Sequence, residues 1–370
     1  MRTITTTDYT MQYPNATHFA FVPAVIHLTK VKTYTQASVV VTSASNSRSF
    51  AETREVYNGE AYFDMQRALQ MCFDAPERAE VDYSKAFNDS PLKHTVRVDV
   101  LLLKDNQPTP LEAFYIDALW GNIRVGDTSG GELRRRWFIN FPFSVDVFTK
   151  YGDQFDITVD DGKSDGVIFY NQEPDATGAT AFRRALLAPA NIFDPRPTTA
   201  QIHISLPHGI VLEDDKEYIG LTAYTLDLDR SEASSKNVYL RWVDSQGRYN
   251  YYLFKKNGDT YEYVADEWMH KQIGVPTTYN NGLNIGGVRQ SFTQGIAMTL
   301  GVRLADEHTL DYLMTLLGSP IVDMFAGYDD NEHPLWQRVN VVPSKFERTT
   351  KPLQDFNVQI VVPSLNLQSL

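Results

Sequence analysis

Short apolar runs separated by polar turns recur through the first part of the chain. Phe19–Val31 and Ala37–Ser45 are rich in β-branched and aromatic residues, which favour strands. In Thr95–Asp105, apolar and charged residues alternate from Val96 to Val100, so valines face one way and charges the other. The pattern therefore predicts short strands of a half-buried sheet.

Two further strand segments follow at similar spacing. They are Ala113–Asp127 and Arg134–Phe148, and the turn-rich segment Thr128–Gly131 lies between them. Short strands at this spacing are typical of a β-sandwich or barrel. We expect an N-terminal β-sandwich over residues 1–151.

Helical periodicity interrupts the strands twice. In Tyr62–Asp74, Asp64 is placed to cap a short helix on whose apolar side Cys72 falls. The second helix is predicted to begin after Asp306 and to end at Gly318. Its apolar stripe has helical spacing and consists of Leu310, Leu313, Met314 and Leu317.

The middle of the chain, residues 152–207, is broken repeatedly by glycine and proline. We predict a connecting region there, with one helical turn in Thr180–Pro189. Strand patterns resume afterwards, so residues 208–370 are expected to form a β-barrel-like domain with one packed helix. The predicted fold class is mainly β.

Composition narrows the possible partners. The 370 residues carry a formal net charge of −12, which disfavours phosphate backbones, and Arg134–Arg136 is better explained as the charged start of a buried strand than as a nucleic-acid site. Cys72 is the single cysteine, which excludes a disulfide within the chain and a cysteine-based zinc site. No apolar run is long enough for a membrane span, and the N-terminus lacks a signal-peptide pattern. We expect neither nucleic-acid nor membrane binding.

Motifs for catalysis or cofactor binding are absent from the sequence. There is no nucleophile elbow, no paired-histidine metal motif and no phosphate-binding loop. The acidic turns Asp156–Gly166 and Tyr328–Pro334 bring carboxylates close enough to hold Ca²⁺, but the first lacks the ligand order of an EF-hand loop and such turns are usually only solvated. The 46 acidic residues offer many carboxylate pairs for glycoside hydrolysis, but nothing marks one pair. We therefore expect no catalytic residue, no metal and no cofactor.

The richest local feature is an aromatic hairpin, Leu240–Lys256, whose turn lies at Asp244–Gly247. Its return strand is apolar or aromatic on both faces, so it is expected to lie between two layers or against another chain. A platform for sugars is the alternative. The candidate core or interface aromatics are Trp242, Tyr249, Tyr251, Tyr252 and Phe254.

The sequence of this hairpin resembles the R-W…G-x-x-[DN]-Y-[WY]-x-F hairpin of structural proteins in tailed phages that infect Bacteroides-type bacteria. Tyr57–Phe73 is similar to the family's strand-to-helix segment, and the paired strands around Trp120 and Trp137 also resemble it. The C-terminal strands from Pro334 to Pro363 look like the pair that closes many tail and baseplate proteins. These motifs are structural, so no active site is carried over.

The resemblance implies a virion structural protein of a phage tail or baseplate, made in the host cytoplasm and found in the virion. It would assemble as a homo-oligomeric ring and contact other phage tail proteins, without enzymatic activity. The residues alone are compatible with two other functions. One is a carbohydrate- or host-receptor-binding module of the tail, in which Trp242 and Tyr251 stack on sugars. The other is a polysaccharide hydrolase.

Overall fold

The computed structural model describes the greater part of the chain, and the fold is mainly β. The chain divides into two compact units: Met1–Glu232 with Val243–Tyr251, and Ala233–Trp242 with Tyr252–Leu370. The described residues are 1–44, 47–73, 87–89, 93–105, 107–122, 131–150, 155–160, 167–172, 180–186, 201–205, 221–231, 234, 236–245, 247–265, 268–270, 287–289, 291–331 and 333–369. No helix among them is long and apolar enough to cross a membrane.

Among the described residues, eighteen strands and one helix precede the hairpin. In chain order they are β1 (Arg2–Thr5), β2 (Thr10–Tyr13), β3 (Thr17–Phe19), β4 (Val25–Thr29), β5 (Gln36–Ser43), β6 (Ser49–Glu55), β7 (Ala61–Asp64), α1 (Gln66–Cys72), β8 (Phe87–Asp89), β9 (Lys93–Lys104), β10 (Gln107–Pro110), β11 (Phe114–Leu119), β12 (Gly131–Phe138), β13 (Ser144–Lys150), β14 (Phe155–Asp160), β15 (Val167–Gln172), β16 (Thr180–Leu186), β17 (Gln201–Ser205) and β18 (Leu221–Asp229).

The N-terminal β-sandwich is formed by two sheets that share one core. One sheet has the order β1-β2-β4-β7, and the other has the order β3-β11-β9-β5-β6 with β10 paired to β9. Ile26 and Leu28 of the first sheet and Val98 and Val100 of the second belong to the same buried cluster. The alternation of β9 confirms the predicted inward face.

Helix α1 packs its apolar side into this core. Ala68, Leu69 and Cys72 are buried, and burial raises the pKa of the Cys72 thiol, as expected for an inert buried cysteine. Met65 occupies the N-cap, whereas the preceding Asp64 was predicted to be the cap. Asp64 Oδ1 nevertheless accepts a hydrogen bond from the Gln66 N–H at 3.0 Å, so it satisfies one of the free amides of the first turn.

The structure differs from the prediction in the middle of the chain. The predicted connecting region, 152–207, contains β14, β15, β16 and β17, and the two units divide near Glu232. The helical turn predicted in Thr180–Pro189 is wrong, because Thr180–Leu186 pairs with β13. Two sheets result, with the orders β12-β18-β17-β14-β15 and β13-β16-β8. The glycine and proline positions that suggested a connecting region lie outside the described residues.

Strand β12 explains the arginine run. Arg134 forms two hydrogen bonds with the Asp227 carboxylate of β18, at 2.7 and 3.0 Å, and Arg136 lies 3.8 Å from Asp229. Trp137, the next residue, is fully buried. The run is therefore the charged face of a strand that ends in the core.

Nine strands and one helix are described from the hairpin onward. They are β19 (Asn237–Val243), β20 (Tyr249–Ala265), β21 (Trp268–His270), β22 (Gly287–Arg289), β23 (Ser291–Ala305), α2 (Glu307–Leu317), β24 (Val322–Tyr328), β25 (Pro334–Arg338), β26 (Asn340–Val341) and β27 (Gln354–Ser369).

The seven-stranded sheet of the second unit nearly closes into a barrel. Its order is β25-β24-β19-β20-β23-β27-β26, so its end strands are β25 and β26. These two strands are consecutive along the chain and only Val339 separates them. The Val339 N–H donates to the Val322 carbonyl at 3.0 Å, and the Val342 N–H donates to the Gln359 carbonyl at 2.8 Å. One bent strand thus joins both ends of the sheet, which confirms the barrel-like domain.

Helix α2 packs on the apolar side of this sheet. The Asp306 carboxylate accepts a hydrogen bond from the Thr309 N–H at 2.8 Å, so Asp306 is the predicted N-cap. Leu310 and Leu313 are buried as the stripe predicts. Tyr312 and Leu316 are buried as well, whereas Met314 is exposed, so the buried face is rotated from the predicted stripe.

Gly247 in the hairpin turn is predicted to be intolerant of a side chain. Its φ is +76°, and a Cβ there would overlap the carbonyl oxygen of Trp120. We expect Gly247→Ala to lower the free energy of unfolding by at least ~2 kcal/mol, since the left-handed conformation alone costs about 1–2 kcal/mol with a side chain. Gly318→Ala is the control, because its Cβ meets nothing within 4 Å and its φ is −100°. Equal denaturant midpoints for the two variants would contradict the turn geometry.

Candidate functional site

The aromatic hairpin of β19 and β20 forms as the sequence predicts, with its turn at Asp244–Gly247. The Gly247 N–H donates to the Asp244 carbonyl at 3.0 Å, and the Asp244 N–H donates to the Arg248 carbonyl at 2.9 Å. The Asp244 side chain accepts from the Arg248 N–H at 3.0 Å and from its Nε at 3.3 Å. Asp244 and Arg248 are themselves buried, so the turn is held by paired polar groups.

Three of the candidate aromatics lie in the second unit, beneath helix α2. Trp242 donates its indole N–H to Thr315 Oγ1 at 2.8 Å, which satisfies the polar end of a fully buried ring. Its ring centroid is 5.1 Å from that of Tyr312 and 6.4 Å from that of Phe254. Tyr252 is 6.3 Å from Tyr312 in the same cluster. These rings therefore form the contact between the sheet and the helix.

The other two candidates, Tyr249 and Tyr251, lie in the first unit. The Tyr251 hydroxyl is hydrogen-bonded to Ser144 Oγ at 2.6 Å, and both groups are buried. Its ring centroid lies 5.0 Å from Phe143, whose ring is 5.7 Å from Trp137. The hairpin tip thus belongs to an aromatic cluster that includes β12 and β13.

The burial of the five candidate aromatic side chains determines whether the hairpin can bind a sugar. All five candidate aromatics are at most 5% exposed. A sugar stacks on an open ring face that has polar groups beside it, and none of these rings has such a face. Trp242 and Tyr251 are therefore packing residues of this chain and do not form a sugar platform.

A buried ion-pair network lies on the opposite face of β19. Arg241 is 1% exposed and donates from Nε to Asp323 Oδ2 at 2.9 Å. Arg338 donates from Nε to the other oxygen of the same carboxylate at 2.7 Å. The Arg241 guanidinium also lies 4.2 Å from the Trp336 ring centroid, a cation–π contact. Asp323 therefore bridges two strands that flank β24 and fixes their order.

Sequence patterns did not reveal an exposed polar row on the outer face of the sandwich. Gln12, His27 and Tyr62 are direct cross-strand neighbours on β2, β4 and β7. Tyr62 is 49% exposed, and Tyr57 in the adjoining hairpin is 78% exposed. His27 Nε2 lies 3.7 Å from the Glu60 carboxylate, beside the Tyr62 ring. The register of three strands assembles this row, so only the pairing could have identified it.

The acidic turns have structural roles where the structure describes them. Asp329 accepts hydrogen bonds from the Asn331 N–H at 2.9 Å and from the His333 N–H at 2.8 Å, and the latter bond is the main cause of its lowered pKa. Residues 161–166 of the other turn lie outside the described residues. Over the described part of the chain, no three His, Cys, Asp or Glu side chains group as metal ligands.

Comparison with known proteins assigns no family. The chain matches no protein-family model and no curated protein. Function is therefore inferred from the residues and the geometry above.

Asp323 is predicted to be the residue on which the ion-pair network depends. Asp323→Asn leaves two guanidinium groups without their shared carboxylate, so we expect the free energy of unfolding to fall by about 3–5 kcal/mol. Denaturant unfolding followed by tryptophan fluorescence measures this loss. Glu347→Gln is the control, because its partner Lys345 and Glu347 itself are largely exposed and such pairs contribute little. A loss below ~1 kcal/mol for Asp323→Asn would show that the network does not hold the strands together.

Proposed function

We propose that this chain is a virion structural protein of a phage tail or baseplate, assembling into a ring through contacts between identical subunits. It acts without catalysis, is made in the host cytoplasm and contacts other tail proteins. The observation that carries the proposal is the burial of the aromatic hairpin. The residues that resemble phage tail proteins, with Trp242 and Phe254 among them, are used for internal packing. The hairpin on which the resemblance rests is therefore used for packing, and this supports a structural role.

The architecture also supports assembly. The barrel-like sheet, its packed helix and the buried Arg241–Asp323 pair make a rigid second unit, and subunits of a ring need fixed shapes for their contacts to close. Aromatic and arginine residues are enriched in protein interfaces, and several large apolar side chains are exposed in the described residues. The second unit displays Tyr261, Leu304, Tyr328, Leu335 and Leu353.

The proposal predicts concentration-dependent oligomers of a single size. Mass photometry and native mass spectrometry of the purified full chain should show monomers at low concentration and one closed multimer at high concentration, because a closing ring stops growing. An open series of sizes indicates filaments or aggregation. Monomers at every concentration, both alone and mixed with the other tail proteins of the same virion, would refute the ring.

A second candidate function is binding of a host glycan or receptor, and the exposed row on the sandwich favours it. The Tyr62 ring lies beside His27, which is the cross-strand neighbour of Gln12 and lies 3.7 Å from the Glu60 carboxylate. The exposed Tyr57 is joined to Glu60 by a backbone bridge. Exposed aromatic rings beside polar groups are the usual components of a sugar site. None of these residues belongs to the hairpin that the sequence singled out.

The glycan candidate predicts that Tyr62→Ala lowers binding to host-surface glycans at least tenfold on a glycan array, without a change in melting temperature. Tyr115→Ala is the matched control, since Tyr115 is similarly exposed on the other sheet of the sandwich. If the unaltered protein binds no glycan on an array of host polysaccharides, the second candidate is withdrawn.

A further inference from the structure

Three strands of the second unit continue past the barrel as an arm. On one side of β23, pairing with β20 runs from Lys255↔Gly301 to Ala265↔Phe292. On its other side, pairing with β27 continues to Ser291↔Ser369. At about 3.4 Å per residue, the eight residues Gly258–Ala265 extend the barrel wall by roughly 25 Å. The arm is therefore a three-stranded sheet whose two outer strands are β20 and β27.

Each outer strand has one side with no partner among the described residues. The partner of β20 on its other side is β19, and within the described residues the last bond of that hairpin is the one that the Lys256 N–H donates to the Lys236 carbonyl at 2.7 Å. The partner of β27 on its other side is β26, which reaches only to Val361. We call Gly258–Ala265 the β20 edge and Ser364–Ser369 the β27 edge. Both present backbone N–H and C=O groups that can pair with another strand.

The β27 edge has none of the charged residues with which proteins protect such strands, although its pairing with β23 shifts register between Phe292 and Thr293 and again between Gln294 and Ile296. Its sequence, Ser-Leu-Asn-Leu-Gln-Ser, contains neither a charge nor a proline, although Pro363 immediately precedes it. The outer strand β6 of the sandwich shows the contrast. It carries Glu52, Arg54 and Glu55 along an exposed edge, which opposes the addition of a strand. This difference indicates that the β27 edge, unlike β6, can accept an additional strand.

A second copy of this chain supplies the matching strand. The β20 edge carries the acidic residues Asp259 and Glu262, and Lys256, whose Nζ lies 2.7 Å from the Asp259 carboxylate, offsets only the first of them. Pairing this edge with itself therefore adds acidic charge on both sides of the junction, which is unfavourable. Pairing the uncharged β27 edge with itself leaves both β20 edges open. Pairing the β27 edge with the β20 edge of the next copy avoids the repulsion and covers both kinds of edge. It is a head-to-tail contact, the type that generates rings.

We propose that the β27 edge of one copy pairs with the β20 edge of the next, so that the arms form one continuous sheet around the ring. Both strands run antiparallel to β23 and hence parallel to each other. Copies related by rotation about an axis along the arm therefore join through a parallel pair. This inference rests on the proposed ring function and names the surface through which the ring closes.

Proline substitutions test each edge separately. Successive N–H groups of a strand point to opposite sides, so in each adjacent pair one proline removes an N–H from the open side. The pairs are Thr260→Pro and Tyr261→Pro for the β20 edge, in a stretch of regular register, and Leu365→Pro and Asn366→Pro for the β27 edge, which pair with Gln294 and Thr293 between two register shifts. The proline on the open side removes no hydrogen bond of the monomer, so that variant keeps the melting temperature of the unaltered chain. We call it the edge-blocking variant. Thr260→Ser and Asn366→Ser are matched controls that retain the N–H.

Head-to-tail pairing gives a specific mixing result. Each edge-blocking variant alone should be monomeric by native mass spectrometry. An equimolar mixture of the two should form a heterodimer and nothing larger, because only one functional junction remains between them. If the β20-edge variant forms dimers by itself, the contact is β27 to β27 and the head-to-tail pairing is refuted.

The assembly of the unaltered chain distinguishes failure of this inference from failure of the proposed ring. If it assembles and both edge-blocking variants assemble equally well, the ring stands and the edges are not its contact. If it never assembles, both are wrong. If every proline substitution unfolds the arm, amide hydrogen exchange of the unaltered chain tests the pairing instead. Amides of both edges should exchange at least tenfold more slowly in the assembled protein than in the diluted monomer, and unchanged rates at either edge refute the pairing.

Discussion

The burial of one hairpin strand on both faces is the constraint on which the second unit depends. On one face of β19, Trp242 packs against Tyr312 and bonds to Thr315, which positions helix α2. On the other face, the buried Arg241 is neutralised by Asp323 and covered by Trp336. A buried guanidinium is costly without its carboxylate, so the position of β24 beside β19 is strongly specified. The barrel-like sheet is then completed by the bent strand through Val339.

Local patterns predicted much of this fold. The alternation around Val98, the N-cap Asp306 and the turn ending at Gly247 each involve residues close in sequence, and each is present as expected. The mainly β class followed from them. The hairpin was also identified from sequence, although the choice between core and sugar platform required the burial of its rings.

Long-range pairing escaped prediction. Strands β14–β17 were assigned to a connecting region because the sequence around them is rich in glycine and proline, and because β16 pairs with the distant strands β8 and β13. Arg241 and Asp323 are joined across 81 intervening residues, and no periodicity links them. The row of Gln12, His27 and Tyr62 depends on the register of three strands. Such features are set by the sum of many contacts, and single-sequence patterns report mainly on neighbours.

A protein that uses its aromatic hairpin for its own core leaves strand edges and exposed apolar side chains for partners. That distribution suits a subunit whose function is to hold its neighbours. Electron microscopy of the purified full chain at high concentration tests this claim most directly. Class averages should show closed, rotationally symmetric particles of one size. Images containing only single-chain particles, also in the presence of the tail proteins proposed as its partners, would contradict it.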